Sequence, residues 1–168
     1  RSQGKGLYVT ERGIFMNNEE TTVFISDADQ YVFGQGTHYE IYKKLGAHFC
    51  KKGEKEGVFF AVWAPNAKDV YVIGEFNGWD EGATPLKRLG EGGIYAAFVE
   101  NVEEGQMYKY MLVLADGRRL YKADPYANYA EMRPGTASRV YDLNHFKWAD
   151  KKWMTDRDKK DMNKEPMA

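Results

Sequence analysis

The chain has a single cysteine, Cys50, among 168 residues. A lone thiol excludes an internal disulfide and any site built from several thiolates. No Asn-x-Ser/Thr sequon is present. Both absences fit a reducing compartment, and the expected location is cytoplasmic. Histidine is scarce too. His38, His48 and His145 are scattered without metal-ligand spacing and read as surface or capping residues. The longest apolar run, Val58 to Ala64, is far too short to span a membrane. Arg1 to Tyr8 is polar and Gly-rich, without the apolar centre of a secretory leader. Neither sign of charge is in excess. With 24 basic and 25 acidic residues, the net charge of -1 leaves no footprint for nucleic acid or an anionic membrane. The expected partner is therefore neutral, or the contact is local. No Gly-rich phosphate loop and no Gly-x-Ser-x-Gly elbow occur. The many carboxylates show no pattern that pairs two of them for acid and base work. The residues point away from an enzyme, a metal site or a cofactor.

What is present is apolar and aromatic. Hydrophobic residues make up 43% and aromatic residues 15%, enough to fill a core. Residues 1–25 carry no period and are expected to be a flexible arm, of which Arg1 to Phe15 would be upstream sequence if Met16 is a native start. Residues 26–50 are expected to be a short helical lead-in. Ser26-Asp27-Ala28-Asp29 and Thr37-His38-Tyr39-Glu40 both have the form of a capping box, with Gly34 and Gly46 where helices would end. Residues 56–143 change to strand texture, with runs at 58–64, 69–76, 86–89, 94–99, 107–114, 119–122 and 139–142. Asn77-Gly78 and Asp116-Gly117 supply turns. About seven short strands with frequent turns describe an all-β sandwich, with a barrel as the alternative. Residues 144–168 are polar and read as a linker.

Aromatic residues cluster near turns. Phe76-Asn77-Gly78-Trp79 puts a Trp just past a tight turn. Two readings stay open from the residues alone: a ring packed on the sandwich edge, or a flat platform for the apolar face of a sugar. In Met107 to Leu114, Tyr108, Tyr110, Leu112 and Leu114 share one face, and Lys109, Met111 and Val113 the other. A mid-strand Lys implies a solvated face. It is either an ordinary surface Lys or a hydrogen-bond donor to sugar hydroxyls. Trp63, inside the apolar run before Pro65, is expected in the core.

Several motifs follow one another in order. They are Trp63-Ala64-Pro65-Asn66-Ala67, Val72-Ile73-Gly74-Glu75-Phe76-Asn77-Gly78-Trp79, Tyr108-Lys109-Tyr110, Lys122-Ala123-Asp124-Pro125-Tyr126-Ala127, and Arg133-Pro134-Gly135-Thr136-Ala137-Ser138. Together they resemble carbohydrate-binding module family 48, as it stands in the N-terminal part of glycogen branching enzymes. Gly34-Gln35-Gly36-Thr37-His38-Tyr39, with Leu45-Gly46-Ala47-His48, resembles the lead-in of the bacterial enzymes. Trp148 to Met154 resembles the segment joining module to barrel.

The resemblance covers about residues 30–168 and implies an immunoglobulin-like β-sandwich. It implies a parent in glycoside hydrolase family 13 that recasts α-1,4-glucan chains into α-1,6 branches through a covalent glycosyl intermediate, without metal or organic cofactor. It implies no catalytic residue here. Asp142-Leu143-Asn144-His145 is similar to a motif of the family's barrel, but its spacing is short and it precedes the linker. The partners implied are α-1,4-glucan or glycogen and the parent's own catalytic barrel.

In kinase β-subunits that carry related modules, a Trp after the Phe-Asn-x turn and a Lys in the Tyr-Lys strand contact glucan. The resemblance thus makes Trp79, Lys109 and Thr136, with Asn77 of the turn, the carbohydrate-binding set. A second stacking Trp of that group falls where this chain has Arg118, Arg119, Leu120 and Tyr121, and an Asn of that group is replaced by Ser138. The competing expectation is a structural module that packs on the barrel and binds little sugar. A regulatory glycogen sensor fits less well, because lead-in and linker look like those of branching enzymes.

Overall fold

A computed structural model describes residues 8–10, 13–15, 25–145 and 149–159. Within the expected arm, β1 (Tyr8–Thr10) and β2 (Gly13–Phe15) pair antiparallel, and the remainder of 1–24 lies outside the described residues. The body is built from β3 (Gly46–Lys52), β4 (Lys55–Trp63), β5 (Ala67–Gly74), β6 (Pro85–Leu89), β7 (Ile94–Glu100), β8 (Met107–Leu114), β9 (Arg119–Lys122), β10 (Tyr129–Ala130) and β11 (Ser138–Arg139). The order is β10-β11-β8-β5-β6-β7-β4-β3, with β9 also on β8. Every pairing is antiparallel.

Strand β6 turns this sheet into a sandwich. Its first residues, Pro85 and Leu86, pair with Tyr71 and Val70 of β5. Its last, Lys87 to Leu89, pair with Ala96 to Ile94 of β7. One strand thus serves two layers. β3, β4 and β7 make the first layer, and β5, β8, β9, β10 and β11 the second. Between them lie Val58, Phe60 and Val62 of β4, Tyr95 of β7, Val70 and Val72 of β5, and Tyr108 and Tyr110 of β8.

The unbroken apolar run of β4 has a direct cause: both its faces are covered. Val58, Phe60 and Val62 face the core, while Phe59 and Ala61 face outward with Ile94 and Ala96 of β7. Ile41 and Leu45 cover that outer face, joined by Ile25 and Phe33. The lead-in is therefore a lid on the first layer.

The lid differs from the expected pair of helices. Helix α1 (Asp27–Gly34) forms, with Ser26 and Asp29 closing a reciprocal capping box. The second cap does not start a helix, because Thr37 Oγ1 donates back to the Val32 carbonyl at 3.3 Å and Glu40 accepts from Lys43, while His38 Nε2 lies 3.0 Å from Asp29 Oδ1. Only one 3-10 turn, Ile41–Lys43, follows. Gly46 then bends the chain with φ +105 into β3, which pairs along β4 from Ala61 to Lys55. The sandwich thus begins at Gly46 rather than at residue 56. At the other end, α2 (Lys151–Lys159) occupies part of the expected linker.

Trp63 corrects another expectation. It is 51% exposed rather than core. It continues the outward face of Phe59 and Ala61, at the strand end where the lid stops. Its indole N–H donates to the Gly92 carbonyl at 2.9 Å, and its ring meets Phe33 edge-on at 5.7 Å.

The second layer is organised around a buried carboxylate. Tyr108 donates its hydroxyl to Asp124 Oδ2 at 2.6 Å and Tyr110 at 3.4 Å, and the Tyr126 N–H donates to Oδ1 at 2.8 Å. The Asp124 N–H donates to the buried Ser138 hydroxyl at 2.8 Å. Burial pushes the Asp124 carboxyl upward, against the pull of those three donors. The Tyr126 carbonyl runs so close to Gly46 that a Cβ there would sit 2.9 Å away. The Asp124-Pro125-Tyr126 segment therefore ties the second layer to the start of β3 and to the lid, where Tyr126 also packs.

Acid should loosen the lid first. Burial raises the Asp29 carboxyl, but hydrogen bonds from His38, the Ser26 N–H and the Ser26 hydroxyl, with the Lys44 charge, hold it down at about 2. Its folded pKa lies below the unfolded one, so its stabilisation is present above about pH 4 and is lost toward pH 2. The full contribution is about 2 kcal/mol. Urea unfolding of wild type and Asp29→Asn between pH 5 and 2.5 should show a stability gap that closes as pH falls. A gap independent of pH would contradict the network. Asp124 is common to both chains and cancels in this comparison.

Candidate functional site

The site starts where β5 ends. Gly74 is required there, because a Cβ would meet the Met107 carbonyl oxygen at 2.5 Å. A 3-10 turn, Glu75–Asn77, follows, and Gly78 and Trp79 both take φ +63. The left-handed region is costly for a Trp, by roughly 1–2 kcal/mol. Asn77 supplies the restraint. Its Oδ1 accepts from the Gly74 N–H at 2.9 Å, and its Nδ2 donates to the Val72 carbonyl and to Thr84 Oγ1, each at 3.0 Å. The Trp79 N–H donates to the Gly74 carbonyl at 2.9 Å. Trp79 is thereby fixed by its backbone, with its side chain 38% exposed. Both amide hydrogens of Asn77, a residue of the expected carbohydrate-binding set, are engaged inside the turn, where they brace the backbone that carries Trp79.

Lys109 lies on the outer face of β8, one step from this turn. It pairs with Ile73, and the neighbouring pair is Gly74 with Tyr108. Ile73 and Met111 form a buried floor beside it. Thr136 arrives from the loop between β10 and β11, and Lys109 Nζ donates to its Oγ1 at 2.8 Å. Glu131 braces that loop by accepting from the Ala137 N–H at 3.0 Å. Two of the expected residues, 27 apart in sequence, are thus in direct contact on the open face of the second layer.

Ser138 is not on that face. It pairs with Tyr108, points inward and is buried with its hydroxyl on Asp124. A sugar donor at that position is therefore excluded, because the register of β11 on β8 sends it into the core.

Sequence reasoning missed a polar latch. Glu81, two residues after Trp79, accepts from the Tyr121 hydroxyl through Oε1 and from Arg119 through Oε2. Tyr121 is exposed and pairs with Met111, so it shares the outer face with Lys109. The hydrogen bond to Glu81 raises the Tyr121 phenol, and the same bond lowers the Glu81 carboxyl. Thirty-eight residues separate Glu81 from Arg119, and although Asp116-Gly117 marks the hairpin, nothing local links it to Glu81. Among the described residues, no group of three or more His, Cys, Asp or Glu is arranged to hold a metal ion.

The outer face of β8 thus carries the Lys109 ammonium and the Thr136 hydroxyl, with Trp79 on the braced turn that ends the neighbouring β5. Residues 44–127 match the model of carbohydrate-binding module 48 (isoamylase N-terminal domain), and the chain belongs to this family. Its sequence is 59% identical over 146 residues to the 1,4-alpha-glucan branching enzyme GlgB of Butyrivibrio fibrisolvens, covering 87% of this chain and 23% of that protein. It is 49% identical over 123 residues to the GlgB of Halothermothrix orenii, covering 73% of this chain and 20% of that protein. The chain thus spans about a fifth of the length of these relatives. A pullulanase from Anoxybacillus sp. LM18-11, complexed with maltotetraose, superposes with TM-score 0.48 at 29% identity over 60% of this chain and 14% of that one.

Removing the turn's lock should cost stability where removing Lys109 does not. Asn77→Ala leaves the Gly74 N–H and the Val72 carbonyl without their side-chain partner and should lower unfolding free energy by roughly 1–3 kcal/mol. Lys109→Ala, on the open face, should change it by less than about 1 kcal/mol. Equal effects of the two substitutions in urea titrations would argue against the role given to Asn77.

Proposed function

We propose that this chain is the non-catalytic, α-glucan-binding module of a glycogen branching enzyme, and that its ligand lies on the outer face of the second layer. The observation that carries this reading is the Lys109–Thr136 hydrogen bond on the outer face of β8, with the exposed Trp79 on the braced turn that ends β5, the strand paired with β8. Trp79 offers its ring to the apolar C–H face of a glucose unit. Lys109 uses one of three N–H donors on Thr136 and keeps two for sugar hydroxyls. By accepting that bond, Thr136 has its own hydroxyl proton free to donate outward. Asn77 and the Glu81 latch hold the geometry, so little ordering is left to occur on binding.

The chemistry of the whole enzyme, cutting an α-1,4-glucan and rejoining it as an α-1,6 branch, belongs to a catalytic barrel supplied by the rest of the protein. No step of it uses residues of this chain, and no cofactor enters. The module's part is to hold a substrate chain near the barrel. The setting proposed is the cytoplasm, where a thiol such as Cys50 stays reduced. No helix among the described residues is long and apolar enough to cross a membrane.

A second role, packing against the barrel, is favoured by a different observation. All of the lid but Leu45 lies outside residues 44–127, yet an aligned span of 146 residues in a 168-residue chain necessarily includes it. Around it Trp63, Tyr31 and Tyr42 are exposed. That face lies on the first layer, away from Lys109, and leaves the sugar site free.

Titration with maltoheptaose, followed by tryptophan fluorescence, tests the reading. Wild type should saturate with Kd on the order of 0.1–1 mM, roughly 4–5.5 kcal/mol. Trp79→Ala should abolish the response with unchanged folding. No response from folded wild type up to about 10 mM, weaker than roughly 3 kcal/mol, would leave only the packing role.

A further inference from the structure

A second aromatic cluster lies on the same open face. Arg139 of β11 pairs with Met107 of β8 and with Tyr129 of β10. Met107 stands two residues before Lys109, so Met107, Arg139 and Tyr129 share the face of Lys109. Tyr141, two residues after Arg139, continues that face and stacks on Tyr129 with centroids 5.5 Å apart and planes 28° from parallel. The His145 ring meets Tyr141 edge-on at 5.3 Å, and the Asn128 amide donates to the Tyr141 carbonyl at 3.3 Å. Tyr129 is 54% exposed and belongs to neither core cluster. One ring face is seated on Tyr141, and the exposed area is what remains open.

The position of this cluster matters as much as its chemistry. Tyr129 is two strands over and two residues along from Lys109. At ~4.8 Å between strands and ~3.3 Å per residue, their Cα atoms lie about 12 Å apart. In strand order Thr136, just before β11, stands between β8 and β10, but along the strands it lies beside Lys109 toward the hairpin loop, away from Tyr129. The strand order across the face thus puts the Trp79 turn first, then Lys109, Thr136 and Tyr129. A rigid amphipathic ring at the end of that line suits a hexose face at small entropic cost.

We propose that Tyr129, seated on Tyr141, is a further stacking platform for the same α-1,4-glucan chain, taking hexose units beyond those held at Trp79, Lys109 and Thr136. Chain length is then read by this face: a short oligosaccharide fills the first part, and only a longer one reaches Tyr129. The inference rests on the glucan reading above.

Isothermal titration of maltotriose and maltoheptaose against wild type, Tyr129→Ala, Tyr129→Phe and Trp79→Ala tests it. Wild type should bind maltoheptaose up to roughly tenfold more tightly than maltotriose, the scale of one added aromatic contact. Tyr129→Ala should remove that preference and leave maltotriose affinity unchanged, whereas Tyr129→Phe should keep it. If Tyr129→Ala keeps the preference while Trp79→Ala weakens both ligands, the extension is wrong and the glucan reading stands. If Trp79→Ala weakens neither, the reading beneath it fails as well. Should Tyr129→Ala not fold, wild-type amide spectra decide. Maltoheptaose, but not maltotriose, must shift Asn128, Tyr129 and Ala130, and unmoved amides overturn the proposal.

Discussion

A buried carboxylate, Asp124, sets the geometry of the second layer and, through it, of the open face. Two tyrosine hydroxyls and a backbone N–H donate to it, and the Asp124 N–H itself donates to the Ser138 hydroxyl. Because Tyr108 and Tyr110 must point inward to reach it, Lys109 between them is sent outward by the strand period of two. Because Ser138 must point inward too, β11 is held against β8 with Ser138 opposite Tyr108, and Thr136 comes down beside Lys109. The contact that marks the face is a consequence of a hydrogen-bond network on the other side of the sheet. Such a network is costly to leave half satisfied, which makes it a strong determinant of register.

The two layers treat their outer faces differently. The first buries its outer face under Ile41, Leu45 and Phe33, so β4 is apolar on both sides. The second leaves its outer face without such a lid, with Ile73 and Met111 as a floor and Lys109, Tyr121 and Tyr129 around it. The strained backbone at Trp79 lies at the turn that ends β5. Its left-handed φ persists because Asn77 and Gly74 over-determine the turn, and strain held this way fixes a ring before any ligand arrives.

Much of this was legible in the sequence, and the failures have physical causes. β8 and β9 match the expected bounds because their alternation is clean and Asp116-Gly117 gives an unambiguous turn. The sandwich and the family follow from ordered motifs. β3 was hidden because its burial is partial and its last residues are Lys51 and Lys52, so the capping signal before it read as helix. Trp63 looked like core because a run buried on both faces carries no period that shows where the lid ends. Asn77 entered the expected set with its turn, and its bracing role shows only in the hydrogen bonds. Lys109 stands out in the strand pattern and Thr136 in the resemblance, but their contact and that of Glu81 with Tyr121 come from neither, since contacts between distant segments leave no local pattern.

The central claim is that glucan lies across the outer face of the second layer. A crystal structure of this chain with maltoheptaose tests it most directly. A glucose ring stacked on the Trp79 indole, with hydroxyls on Lys109 Nζ and Thr136 Oγ1, is the result the account predicts. Oligosaccharide seated instead on the lid beside Trp63, with the Trp79 face empty, would contradict it.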